Sequence, residues 1–80
     1  MDTISIKNKK FTVERVIAEH EDHTTYLASW SGRTYFIRTY AMDYEKALAD
    51  YKALKHAGIN MAKMCFHDDV NHVVVYDYFP

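Results

Sequence analysis

One change of hydrophobic period divides this sequence. Up to Tyr40 the segments are strand-like, with period two within Phe11–Glu19 and a β-branched and aromatic composition after it. From Tyr44 onward, Tyr44, Ala47, Leu48, Tyr51, Leu54 and Lys55 follow the three-and-four spacing of a helix face. A chain with strand-type segments on both sides of one such stretch folds as α+β.

The expected boundaries follow from local chemistry. Phe11, Val13 and Ile17 recur at period two within Phe11–Glu19, with Arg15 breaking the row, as in a half-buried strand. Glu19-His20-Glu21-Asp22-His23 has no apolar side chain and reads as a turn. Thr24–Trp30 and Thr34–Tyr40 are rich in β-branched and aromatic residues and flank the turn Ser31-Gly32-Arg33, predicting a hairpin. Asp43 is expected to cap the helix by accepting from its first free amides. Gly58 is expected to take the left-handed position just past its end. A short strand is expected at Lys63–His67, then a polar turn over His67–Asn71. His72–Phe79 carries Val73-Val74-Val75, the composition of a central strand covered on both faces. Residues 1–10, with Lys7, Lys9 and Lys10, are read as a solvated arm or an extra strand. The sum is one domain over 1–80, with a five-stranded antiparallel sheet and one main helix in the order β-β-β-α-β-β. The apolar ending at Pro80 is read as a connection to a further segment.

Bulk properties narrow the function. An 80-residue chain has a small core, and the 15% aromatic content supplies much of its burial. A net charge of −1 gives no basic surplus for nucleic acid. No stretch approaches the roughly 20 apolar residues of a membrane span. Cys65 is the single cysteine and the N-terminus lacks the apolar run of a signal peptide, so a reducing, cytoplasmic setting is expected.

The chemical groups form no complete constellation. His20 and His23 flank Glu21-Asp22, and Cys65 stands two residues from His67, but neither pattern has the spacing of a four-ligand metal site. Cys65 lies between Met64 and Phe66 and reads as a buried structural thiol. No catalytic residue and no metal ligand is assigned.

The order strand-strand-strand-helix-strand-strand, from about Phe11 to Pro80, resembles the small lobe of the protein kinase superfamily, including its aminoglycoside phosphotransferase-like branch. The resemblance implies a loop between the first two strands that covers ATP phosphates; Ala18, His20 and His23 stand at its three glycine positions, and Glu19, Glu21 and Asp22 add negative charge. It places Arg38 of Tyr35-Phe36-Ile37-Arg38 at the phosphate-gripping lysine and Asp50 at the helix carboxylate that pairs with it. Phe36 falls at the adenine wall, where the family keeps a small residue, and Asp77 at the start of the hinge between lobes. The resemblance further implies a large lobe after Pro80 that carries the catalytic base and metal-binding carboxylates. The expectation is a non-catalytic, pseudokinase-like lobe, a fragment of a larger bacterial-type serine/threonine kinase-like protein. No cofactor is expected for this chain, ATP and magnesium belonging to the parent alone. Its expected partner is the missing lobe or another protein. The alternative is an independent interaction domain that pairs with a partner or with itself through a strand or its Tyr-rich face.

Overall fold

A computed structural model describes residues 2–78. Its elements are β1 (Thr3–Ile6), β2 (Lys9–Glu19), β3 (His23–Trp30), β4 (Arg33–Tyr40), α1 (Tyr44–His56), β5 (Met64–Asp68) and β6 (Val73–Asp77). They form one antiparallel sheet in the order β1-β2-β3-β4-β6-β5. The α+β class and the single helix are as expected. The sheet has six strands, not five, because residues 3–6 pair with Lys9–Thr12 as the extra strand. Lys7 and Asn8 make this hairpin without glycine, both at positive φ (48° and 69°). That two-residue geometry matches strand twist, and Asn tolerates it better than most residues. Lys9 and Lys10 therefore belong to a strand rather than to a solvated arm. The Lys9 ammonium lies 5.6 Å from the Trp30 ring and 5.2 Å from Phe66.

Ser31-Gly32 closes the next hairpin in the same way, with φ of 51° and 79° and Trp30 opposite Arg33. The expected strands are thus recovered with ends shifted by a residue or two. The last strand stops at Asp77, and the Phe79 and Pro80 of the expected ending lie outside the described residues. β6 lies between β4 and β5, so Val73, Val74 and Val75 are all buried. A central strand of this kind has no free edge for a partner.

The sheet curls around its own concave face. Ile6, Phe11, Ala28, Tyr35, Ile37, Val73 and Val75 fill that face. Phe11 is the hub, 5.5–6.0 Å from the rings of Trp30, Tyr35 and Phe66. Its contact with Phe66 brings β2 close to β5, although three strands, β3, β4 and β6, lie between them in the sheet. Two register shifts bend β2 towards this closure. Glu14 and Ile17 are extra residues relative to β3, and a third shift leaves Cys65 extra in β5.

The helix lies outside this core. Tyr44 is its buried residue; Ala47, Leu48 and Tyr51 are half-buried, and everything from Lys52 to Asn60 is exposed. Gly58 takes the left-handed position after the helix, at φ 85°. Asp43 does not cap as expected. It stands in the left-handed region (φ 60°, ψ 27°), which turns its side chain away from the free amides, and it makes no side-chain cap hydrogen bond. The described helix is not long and apolar enough to cross a membrane.

Candidate functional site

Two tyrosine hydroxyls fasten the helix. Tyr44 Oη donates to Asp69 Oδ1 at 2.6 Å and lies 3.2 Å from His67 Nδ1, itself 2.7 Å from the same carboxylate oxygen. The His72 ring stacks on Tyr44 at 4.7 Å. The turn that presents these groups is built by Asp68, which accepts from the Val70 and Asn71 amides and from the Asn71 side chain. The Asn71 hydrogen bonds hold the Asp68 carboxyl below its ordinary value, and Tyr44 and then His67 do the same for Asp69. Burial, then Asp69, pushes the Tyr44 phenol well up. One helical turn pair further on, Tyr51 Oη donates to the Ala62 carbonyl at 2.7 Å and accepts the Met64 amide at 3.0 Å.

Held this way, the helix and the loop before β5 stand over the outer face of the sheet and leave a cleft of about 390 Å³. Phe36, Tyr51, Met61 and Tyr76 provide its apolar walls, and Ile17 closes one side. Arg38 and Thr25 form the polar floor. Residues 36 and 38 share this face because they lie two apart on one strand, and Thr25 stands directly opposite Arg38 on β3. Arg38 Nε donates to Thr25 Oγ1 at 3.0 Å, and the guanidinium carbon lies 6.0 Å from the centre of the Tyr76 ring. Burial pushes the Tyr76 phenol up to about 12. Arg38 has no carboxylate partner among the described residues.

Arg38 and Phe36 therefore stand together. Asp50 borders the adjoining cavity with Arg38 but does not pair with it. Its carboxylate is taken by Lys46 at 2.9 Å, one turn back on the helix. This exposed intrahelical pair is the nearer and less strained partner for a short side chain. Asp77 serves a different contact: Cys65 Sγ donates to it at 3.0 Å, and Arg33 lies 3.6 Å away. Burial, reinforced by Asp77, raises the Cys65 thiol to about 11, the opposite of what an activated nucleophile needs.

The turn between β2 and β3 is closed by one of its own amides and packed by two imidazoles. His20 N donates to the His23 carbonyl at 2.8 Å, and the two imidazoles face each other at 4.8 Å. The Asp22 carbonyl accepts the Ala41 amide at 2.8 Å, tying the turn to the segment before the helix. His23 Nδ1 is buried 3.0 Å from Asp22 Oδ1, out of line for a good hydrogen bond but near enough to hold that carboxyl low. No group of three His, Cys, Asp or Glu side chains is placed to hold a metal ion among the described residues.

Sequence reasoning missed Thr25, Tyr51, Met61 and Tyr76 as parts of one cleft. The seven-residue spacing of Tyr44 and Tyr51 was the available sign, since it puts both hydroxyls on one side of the helix. No protein-family model, curated protein or solved structure matches this chain.

Proposed function

We propose that this chain is a non-catalytic binding lobe of kinase-like design, a fragment that works against a larger partner, either a following lobe or another protein. The support is the order of elements from β2 to β6 and the placing of Arg38 and Phe36 in one cleft under the helix. The observation that carries the non-catalytic part is the separation of Arg38 from Asp50. With Lys46 holding Asp50, and imidazoles where the phosphate loop would need glycine, the cleft has one cation and the loop no glycine through which its backbone could come close to a triphosphate. The single, partly buried Cys65 fits a reducing, cytoplasmic setting.

Calorimetric titration of the chain with ATP and magnesium tests this reading. The expected result is no saturable heat. Micromolar binding would overturn it.

A second reading, an independent interaction domain, is favoured by the uncovered end of α1 and the segment after it, where Leu54 is 45% and Ile59 51% exposed. A partner on that side would protect both residues without touching the buried β6.

A further inference from the structure

The cleft over Arg38 has a chemistry of its own, apart from what its absent features exclude. Arg38 commits only Nε, to Thr25; its two terminal nitrogens have no acceptor among the described residues. Those nitrogens form a planar fork that matches the two oxygens of a carboxylate. Phe36, Met61, Tyr51 and Tyr76 surround it with apolar surface, and the volume of about 390 Å³ is in the range of small-molecule sites. An unpaired guanidinium in apolar company attracts an anion with an apolar body.

The surrounding charge sets how many negative charges that anion carries. The adjoining cavity shares Arg38 and adds Asp22 and Asp50. Lys46 offsets Asp50, and His23 stands beside Asp22. A polyanion would meet one free cation with carboxylates close by, whereas a single negative charge is matched by Arg38 alone. A cationic ligand would place its charge against the guanidinium.

We infer that the cleft between α1 and the outer sheet face binds a small apolar monocarboxylate, an aryl or alkyl acid whose carboxylate sits on Arg38 and whose body lies between Phe36 and Tyr76. This rests on the binding-lobe reading only in that nucleotide is not the occupant.

The test is an amide NMR titration of the whole 80-residue chain with 2-naphthoate, and with 2-naphthylmethanol as its neutral counterpart. The acid is expected to give saturable shifts at Thr25, Phe36, Arg38 and Tyr76, with a Kd below about 1 mM. The alcohol is expected to bind at least about tenfold more weakly, the usual worth of a charge-assisted contact. Arg38→Gln should abolish the difference between the two. Equal affinity for acid and alcohol, shifts confined to another surface, or no saturation in the unaltered chain would each overturn the assignment. The unaltered chain with the two probes decides the matter even where Arg38→Gln fails to fold. If naphthoate and ATP both fail to bind, this inference falls and the binding-lobe reading stands. If ATP binds and naphthoate does not, both fall.

Discussion

Cys65 sits where a strand gains an extra residue, half-buried and donating to Asp77. Its thiol is raised to about 11, first by burial and then by the carboxylate. A raised thiol stays protonated, and so unreactive, until the pH climbs through that value. Alkylation of the folded chain by iodoacetamide at pH 8 should therefore be much slower than in urea. Its pH–rate profile should rise towards about 11, not near the ordinary 8.5 or so. Asp77→Asn should bring the midpoint down. A profile centred on the ordinary value would show that the Cys65–Asp77 contact does not persist in solution. At this same scale the sequence is legible where backbone chemistry is decisive. Gly32 and Gly58 both stand at positive φ, where glycine is the least strained choice. Lys7 takes the same backbone region with a side chain that gives no such warning, and Asp43, whose type suits that region as well as a cap, takes it too. The Asp43 cap failed for that reason: composition names a capping residue but does not fix its φ. The Arg38–Asp50 pair failed because the sequence shows which charges exist and not which neighbour is nearest.

Strands and helix carry unequal shares of the stability. Ile37 is fully buried on the concave face, while Leu54 projects from the free half of α1 at 45% exposure. Ile37→Ala should cost about 2–5 kcal/mol by urea denaturation, through lost burial and the cavity left behind. Leu54→Ala should cost well under about 1 kcal/mol. Comparable losses would mean that something covers the distal helix in solution. The elements themselves were legible because alternation and turn chemistry agree along most of the chain. The docking of α1 was less so. A period of 3.6 names a face, yet half of that face is bare here, and the attachment runs through two tyrosine hydroxyls rather than through packed aliphatic side chains. The cleft inherits this limit. Arg38 and Phe36 could be placed on one side by strand alternation, but Tyr51, Met61 and Tyr76 meet them only once the helix is pinned.

The whole molecule has a radius of gyration of 12.4 Å, slightly above the roughly 11.6 Å expected of a compact chain of this length. Charge sets the pH range in which the fold is most stable. Asp22, Asp68 and Asp69 titrate below their ordinary values, so their contribution is present above about pH 4 and is lost as the pH falls through their folded-state values. Cys65 and Tyr76 are raised, to about 11 and about 12. Their contributions are present below the ordinary values of roughly 8.5 and 10 and are lost as the pH rises through the folded-state ones. The urea midpoint followed by circular dichroism should therefore be flat from about pH 5 to 8 and fall on both sides. Asp69→Asn should soften the acid limb. A midpoint that rises on acidification would contradict the Tyr44–Asp69–His67 arrangement.

The extra residues Glu14 and Ile17 in β2, and Cys65 in β5, have a consequence beyond curvature. β5 is an outer strand, and the distal half of β2 extends past the short β1. Val16 and Ile17, at 48% and 41% exposure, would otherwise form a sticky seam there. Each added residue breaks the even spacing of amides and carbonyls that an incoming chain would have to match. The sheet is thus self-terminating by two devices: β5 and the bare half of β2 are out of step with a regular strand, while β1, which has no extra residue, offers an edge only four residues long.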